Sequence, residues 1–353
     1  MLRRTALFAL AALPLCAQLP PETATAIDRL TAVQMEKDSI PGLSIAVAVN
    51  GELRWQQGYG LQDLENLVPA TAQTVYRLGS VAKPITAVAA MQLWEQGKLD
   101  LNAPIQRYVP SFPVKPQGQV TVGLLLAHLA GIRHYQRDDE LDTVRHYDDV
   151  ADALAIFQND PLVAEPGVRY SYSTYGYNLA GAAVQRASGE RFHDYLQRHI
   201  CIPGGMTTLR DDNRWDIIPH RTRFYSKRAD GTVFNAGLTD TSNKIPGGGM
   251  IGSPADLVRF ALAVRSGTLL KPATLDAMWA PQRLKNGQTS SYGYGWDISV
   301  MNGHKIVGHS GGQQGCSTML LMDTASGHVV AVMANMDQVG ARDLATNILA
   351  LLN

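Results

Sequence analysis

The chain has 353 residues, of which 45% are hydrophobic, enough to bury a sizeable core in one large domain or two medium ones. Its 31 basic residues are balanced by 31 acidic residues, and no long run of like charge occurs. A nucleic-acid-binding protein normally presents a basic surface, so this composition argues against nucleic acid as a partner.

The N-terminal segment MLRRTALFALAALPLCAQ predicts an export signal. Two arginines form a short basic start, and the apolar run after them is too short to anchor the chain in a bilayer. We expect a signal over residues 1–17, cleaved near Ala17, and a periplasmic or extracellular protein without stable membrane insertion. A lipoprotein signal with Cys16 lipidated is the alternative, but Leu15 is a poor fit to the small residue expected before such a cysteine.

The remaining pattern predicts strands near both ends of the chain and helices between them. An amphipathic helix over residues 23–38 precedes two strands, IPGLSIAVAV and ELRWQQGYG, joined at an Asn-Gly turn. A helix follows in SVAKPITAVAAMQLWEQG, residues 102–119 are rich in proline, and residues 121–198 are predicted to be mostly helical. After a loop-rich stretch, a helix capped by Ser253 precedes four further strands and a terminal helix over residues 340–352.

Strands from both chain ends predict one antiparallel sheet flanked by helices, which is an α+β fold. We expect residues 18–98 and 240–353 to form this region, and residues 99–239 to form an inserted, mostly helical region. The sheet should have at least five strands, with the functional site in the cleft between the two regions. The βαβ alternation of a doubly wound α/β-hydrolase is not visible.

Two short segments each offer a candidate nucleophilic serine. Residues 308–312 read GHSGG and fit G-x-S-x-G, the turn that exposes the nucleophile of an α/β-hydrolase. Only His328 follows Ser310, and the interval between them is too short for the strand–helix units that should separate the catalytic residues. The strand-like segment CSTMLLM also stands where a helix is required. The pattern therefore argues against Ser310 as the nucleophile.

In the second segment, GSVAK, Ser80 and Lys83 lie three residues apart at the start of a predicted helix, so their side chains share a face. A helix N-terminus favours negative charge on the serine oxygen, and partial burial lowers the pKa of the lysine. This spacing predicts a serine activated by a lysine, although an N-cap serine followed by a surface lysine is the commoner meaning of S-x-x-K. Tyr172, in YSYSTYGYN, is either a general base or a core residue.

Taken together, SVAK at residues 80–83, YST at residues 172–174 and HSGG at residues 309–312 resemble the serine β-lactamase and penicillin-binding-protein superfamily. The likeness is closest to its class C-like branch, which includes family VIII esterases, DD-peptidases and LACTB-like serine proteases. It extends over seven stretches between residues 23 and 352: VYRLGSVAKPITA, LLLAHLAGI, PGVRYSYSTYGYNLAG, IPGGMTTL, GGGMIGSPADLVRF, YGYGW and GHSGGQQGCSTMLLMD.

The resemblance implies a fold of the β-lactamase/transpeptidase type and a role for each matching residue. Ser80 would be the acylated nucleophile, Lys83 would activate it, and Tyr172 would act as base in acylation and again on the hydrolytic water. The backbone N–H groups of Ser80 and Gly312 would form the oxyanion hole. The residues expected to contact substrate are Thr174, His309, Ser310 and Gly311. The reaction would need no cofactor.

Three departures from the family pattern bear on the substrate. Thr174 stands where the family usually has asparagine, and His309 replaces the lysine of K-T-G. A histidine is only partly charged near neutral pH, which weakens the grip on the carboxylate of penicillins. The HLAG segment stands where the family has H-T-S-G, and we interpret its His128 as structural.

We therefore expect a serine hydrolase that acts on small esters or peptide-like amides. A DD-carboxypeptidase, D-aminopeptidase or β-lactamase acting on cell-wall peptides or β-lactams is the first alternative. A catalytically weak scaffold or binding protein is the second.

No spacing of histidine, cysteine and carboxylate residues predicts a metal site. The glycine run at residues 247–249 lacks the preceding strand and the lysine of a P-loop, so we interpret it as a turn at the substrate rim or in the scaffold. The oligomeric state is not predicted.

Overall fold

The structure is a computed structural model that describes residues 18–353. The predicted export signal, its cleavage near Ala17 and the alternative lipidation of Cys16 lie outside the described residues. In the part of the chain that is described, no helix has the length and apolar character needed to cross a membrane.

The helices are α1 (Pro21–Asp38), α2 (Ala82–Glu95), α3 (Val122–Leu126), α4 (Asp138–Leu141), α5 (Thr174–Ser188), α6 (Phe192–Leu196), α7 (Ile245–Gly248), α8 (Pro254–Arg265), α9 (Pro272–Met278) and α10 (Ala341–Leu352). The strands are β1 (Gly42–Val49), β2 (Glu52–Asp63), β3 (Val68–Pro69), β4 (Tyr76–Arg77), β5 (Arg210–Asp211), β6 (Tyr225–Lys227), β7 (Val233–Asn235), β8 (Met250–Gly252), β9 (Asp297–Met301), β10 (His304–Gln313), β11 (Cys316–Asp323) and β12 (Val329–Ala334).

A seven-stranded antiparallel sheet forms the centre of the fold, in the order β3-β2-β1-β12-β11-β10-β9. β1 pairs with β12, so strands from near the two ends of the chain are neighbours in the middle of the sheet. This arrangement confirms the predicted α+β fold with an antiparallel sheet flanked by helices. The division at residues 99 and 239 stays a prediction.

The central strands are buried on both faces because each face is covered by helices. Ile45 and Val47 of β1 belong to an apolar cluster that includes residues of α1 and α10. Ala46 and Ala48 alternate with them and belong to a second cluster with residues of α2, α5 and α8. Successive side chains of a strand point to opposite faces, so one nearly continuous apolar run supplies both clusters.

The region between α3 and α5 contains less helix than expected. In this part of the chain, helical structure is limited to α4 and a 3-10 turn at Asp152–Ile156. Pro161 and Pro166 have no backbone N–H and break helices. The backbone pairs across the loop instead, as where the N–H of Val163 donates to the carbonyl of Gly131 at 2.8 Å. The prediction of a mostly helical segment over residues 121–198 was therefore wrong for its middle part.

Candidate active site

Ser80 lies in a short 3-10 turn, Gly79–Val81, between β4 and α2. Gly79 has a φ of 52°, a left-handed conformation that suits glycine and turns the chain sharply into the helix. Lys83 follows within the first turn of α2 and is fully buried. The turn therefore presents the half-buried Ser80 side chain directly above the amine of Lys83.

The Oγ atom of Ser80 lies between two polar side chains. Lys83 Nζ is 2.9 Å from it, and the Tyr172 hydroxyl donates a hydrogen bond to it at 2.7 Å. Lys83 Nζ also lies 3.2 Å from Thr174 Oγ1 and 2.6 Å from the carbonyl oxygen of Gly247. The structure thus brings the three predicted catalytic side chains into mutual contact, with Thr174 beside them.

Burial controls the charge of this cluster. The pKa of Lys83 is well below its usual value, mainly because the amine is buried and also because Lys244 lies nearby. Burial likewise lowers the pKa of Lys244 to about 7. The pKa of Tyr172 is raised, mainly by burial. Burial therefore favours an uncharged amine and a protonated phenol on either side of Ser80.

Tyr172 precedes α5, and the N-terminus of that helix is fixed to the segment before α4. Ser173 is the N-cap residue, and its Oγ accepts from the N–H of Gly176 at 3.0 Å. The same hydroxyl donates to the carbonyl of Arg133 at 2.7 Å. Nδ1 of His134 accepts from the N–H of Thr174 at 3.2 Å. These bonds hold the backbone on the C-terminal side of Tyr172.

The backbone of β10 approaches the Ser80 turn closely. A Cβ atom built on Gly311 would lie 1.9 Å from the carbonyl oxygen of Leu78 and 3.1 Å from the N atom of Ser80. A Cβ built on Gly79 would lie 2.7 Å from the N atom of Gly312. Only glycine permits such contacts between main chains. The approach places Gly312 where its N–H can serve with that of Ser80 as an oxyanion hole.

His309 is buried and uncharged. Its Nε2 lies 2.9 Å from the Tyr292 hydroxyl and its Nδ1 lies 2.6 Å from the carbonyl oxygen of Ser310, so Nδ1–H donates and Nε2 accepts. Burial, with a smaller effect of Lys83, lowers its pKa to about 3. The expectation of a histidine partly charged near neutral pH is therefore wrong. Its ring centroid lies 6.4 Å from that of Tyr172.

Ser310 occupies the opposite face of β10 from His309, because side chains alternate along a strand. Its Oγ accepts from Nη2 of Arg342, in α10, at 3.2 Å. Ser310 is therefore not part of the cluster around Ser80, which agrees with the argument against it as a nucleophile. The expected contact of Ser310 with substrate stays a prediction.

A cleft of about 590 Å³ adjoins the oxyanion position. Its lining residues are Leu141, Asp142, Ser226, Lys227, Phe234, Gly237, Gly312, Gln313, Gln314, Asp337 and Gln338. Another cavity of about 210 Å³ lies beside His146 and Asp149 and contains none of the catalytic side chains. The lining of the cleft next to Gly312 likewise includes none of Ser80, Lys83 and Tyr172, and Gly312 is its link to the site.

No group of three or more histidine, cysteine, aspartate and glutamate residues within residues 18–353 is arranged to hold a metal ion. The site is composed of hydroxyl, amine and imidazole groups. These groups suit nucleophilic and proton-transfer chemistry.

Sequence reasoning missed three contributors to the site. The glycine run was interpreted as a turn, yet its Gly247 carbonyl accepts from Lys83. His134 was not singled out as a site residue, and Tyr292 was noted only within the segment YGYGW. Glycine at 247 is itself required, since a Cβ there would lie 2.6 Å from Cγ2 of Thr174. The glycine run was the one signal available in the sequence.

The chain is similar in sequence to known proteins of one family. A family model described as Beta-lactamase matches residues 27–353. The human "Serine beta-lactamase-like protein LACTB, mitochondrial" is 30% identical over 420 aligned residues, which cover 88% of this chain and 77% of that protein.

Solved structures share the same architecture. The octameric penicillin-binding protein homologue from Pyrococcus abyssi is similar with a TM-score of 0.81 and 25% identity, covering 93% of this chain and 77% of that one. D-amino acid amidase from Ochrobactrum anthropi SV3, complexed with D-phenylalanine, gives a TM-score of 0.82 at 22% identity, covering 94% and 99%. The likeness to the amidase concerns the fold alone, and together these structures confirm the β-lactamase/transpeptidase-like fold.

Proposed function

Since this chain belongs to the beta-lactamase family of serine hydrolases, we propose that it hydrolyses small esters or peptide-like amides through an acyl-Ser80 intermediate. The observation that carries the proposal is the position of Ser80 Oγ, 2.9 Å from Lys83 Nζ and 2.7 Å from the Tyr172 hydroxyl. A nucleophile, a proton acceptor and a proton donor are thereby within one hydrogen bond of each other.

In acylation, Ser80 Oγ attacks the substrate carbonyl carbon and its proton passes to Lys83 Nζ. The lowered pKa of Lys83 supports this role, since burial favours the free amine, which can accept the proton. Negative charge develops on the carbonyl oxygen, where the N–H groups of Ser80 and Gly312 stabilise it. Tyr172 then donates its proton to the leaving group and recovers one from Lys83, so that one proton moves in total from Ser80 to the leaving group.

This order changes the expected role of Tyr172. The family resemblance implied that Tyr172 acts as base in acylation, whereas its raised pKa and its hydrogen bond to Ser80 favour proton donation as its first step. In deacylation Lys83 Nζ accepts the proton of the attacking water, and Tyr172 donates its proton to Ser80 Oγ as the acyl bond breaks and recovers one from Lys83, so that one proton moves in total from water to Ser80. Thr174, 3.2 Å from Lys83 Nζ, orients the amine throughout.

The substrate preference follows from the uncharged His309. A cation at this position would attract a carboxylate on the substrate, but His309 is neutral at any pH well above 3. The binding of uncharged esters and amides does not depend on a positive charge at this position, whereas penicillins and peptides with a terminal carboxylate lose an ion pair without it. The export signal predicted for residues 1–17 supports an extracellular or periplasmic substrate.

Arg342 is the one observation that favours the alternative of β-lactams or cell-wall peptides. Its Nη2 lies 3.2 Å from Ser310 Oγ and 3.5 Å from Asp297 Oδ2, and its side chain is largely exposed. A substrate carboxylate placed along the edge of β10 could pair with this guanidinium. The alternative therefore depends on Arg342 rather than on His309.

The test combines covalent labelling with a substrate panel. A fluorophosphonate probe should label the wild-type protein stoichiometrically and label Ser310→Ala equally, but should not label Ser80→Ala. Initial rates with p-nitrophenyl esters, D-amino-acid amides and nitrocefin should then rank the esters and amides above nitrocefin.

Each result of this test has a distinct meaning. Labelling of Ser80→Ala but not of Ser310→Ala would overturn the mechanism. No labelling of the folded wild-type protein would favour a scaffold or binding role. Faster turnover of nitrocefin than of every ester and amide would favour the β-lactamase alternative.

A further inference from the structure

His128 lies just after α3 in an unusual backbone conformation. Its φ is 58°, in the left-handed region that few residues other than glycine adopt, and its side chain is buried. Asparagine, aspartate and histidine are the side chains that tolerate this region best. A strained conformation at a buried position persists only where the surrounding contacts fix it.

Those contacts are concentrated on the residues that flank Tyr172. The carbonyl oxygen of His128 accepts from the N–H of Ser171 at 2.8 Å. Its Nδ1 accepts from the N–H of Ser173 at 3.1 Å. Its ring lies against the Tyr172 ring, with centroids 4.3 Å apart. One residue therefore holds the backbone before Tyr172, the backbone after it and the face of the phenol.

We propose that His128 is the positioning residue for Tyr172, holding the phenol hydroxyl at hydrogen-bond distance from Ser80 Oγ. This inference rests on the proposed acyl-serine mechanism, in which that hydroxyl delivers a proton. A displacement of about 1 Å at a reacting group can reduce the rate about 100-fold. Fixing the main chain on both sides of Tyr172 prevents such a displacement, because the phenol then has only its own side-chain torsions left to vary.

The hydrogen bonds of the ring argue against a direct catalytic role. Nδ1 accepts a hydrogen bond, so in the neutral ring Nε2 carries the proton. Among the described residues, none offers a hydrogen-bond partner to Nε2. Burial also keeps the pKa of His128 well below its usual value, so the ring stays neutral. His128 therefore passes no proton to the site and acts through Tyr172.

Two substitutions separate the hydrogen bond from the other properties of the ring. Asparagine tolerates the left-handed backbone, and its Oδ1 is attached to Cγ as Nδ1 is in histidine, so His128→Asn can still accept from Ser173. His128→Phe keeps an aromatic ring but loses the acceptor and the tolerance of the left-handed backbone, both of which hold the main chain beside Tyr172. We expect His128→Asn to acylate within about threefold of wild type and His128→Phe to acylate about 10- to 100-fold more slowly, with KM little changed.

Tyr177→Phe is the matched control for loss of a buried hydrogen bond. The Tyr177 hydroxyl donates to the carbonyl of Leu126 at 2.6 Å, and its ring lies 5.2 Å from that of His128. That hydrogen bond involves neither Ser171 nor Ser173. Tyr177→Phe should lower the unfolding temperature as His128→Phe does, yet should keep the wild-type acylation rate constant.

A double-mutant cycle decides the proposal. If His128 acts through Tyr172, then His128→Phe should change the acylation rate less than about twofold in a Tyr172→Phe background. Equal losses in the two backgrounds would overturn the proposal, as would wild-type acylation by folded His128→Phe. Absence of fluorophosphonate labelling in the wild type would instead refute the proposed function, so the two failures are distinguishable.

Discussion

The close approach of β10 to the Ser80 turn makes Gly311→Ala the most informative single substitution. The Cβ of alanine would lie 1.9 Å from the Leu78 carbonyl oxygen, whereas ordinary contacts begin near 3.4 Å. The strand and the turn must therefore separate by about 1.5 Å, the difference between these two distances. Neither partner is a flexible side chain, so the backbone itself has to move.

This movement separates the two proposed oxyanion donors, the N–H groups of Ser80 and Gly312. Losing one such donor reduces kcat about 100- to 1000-fold, and a displacement of about 1 Å costs about 100-fold. We therefore expect Gly311→Ala to reduce the rate constant for acylation at least about 100-fold. The assay is the rate of fluorophosphonate labelling, together with the p-nitrophenol burst from an ester, on protein shown by thermal unfolding to be folded.

Two other glycines provide the controls. A Cβ on Gly237, which also lines the cleft next to Gly312, meets nothing within 4 Å, so Gly237→Ala should label at the wild-type rate. A Cβ on Gly312 also meets nothing within 4 Å. The acylation rate constant of Gly312→Ala should therefore stay at least about tenfold higher than that of Gly311→Ala. Wild-type labelling by folded Gly311→Ala, or equal losses at 311 and 312, would refute the steric reasoning.

Two further predictions concern charge. Arg342→Ala should hydrolyse esters at a rate within about twofold of wild type and should turn over nitrocefin at least about fivefold more slowly than wild type. Equal effects on both substrates would refute a role of Arg342 in carboxylate binding. The pKa of His134 is lowered to about 4 by burial, with Lys83 and Lys244 contributing, so unfolding takes up a proton and stability falls as pH drops from 6.5 towards 4. In urea unfolding, the free energy of unfolding of the wild type should fall between pH 7 and 4.5, and His134→Asn should make this fall smaller by about 2 kcal/mol. An equal fall in the variant and the wild type would contradict this assignment.

The main elements of the fold were predictable because their signals are local. The apolar run of β1 and the Asn-Gly turn after it gave a hairpin, and Ser253 with Pro254 gave the start of α8. Ser80 and Lys83 were found in the same way, since a spacing of three within a helix start is visible in the sequence.

The remaining features depend on contacts between distant segments. Nothing local reveals that Gly247 accepts from Lys83, or that His128 and His134 hold the start of α5. The charge of His309 depends on burial, which its neighbours in sequence do not determine. The missing helix between α3 and α5 has a mixed origin, because Pro161 and Pro166 are visible in the sequence, whereas the pairing of Val163 with Gly131 across the loop is not.

The order of strands in the sheet has a consequence for biosynthesis. β12 and β11 stand between β1 and β10, so β10 can join the N-terminal strands only after residues 316–334 have been made. Contacts between segments so far apart in sequence form late and slowly. A chain still emerging from the ribosome therefore lacks the oxyanion position, although Ser80 and Lys83 have long been synthesised. In the proposed mechanism, acylation of Ser80 therefore requires the strands up to residue 334 to be in place.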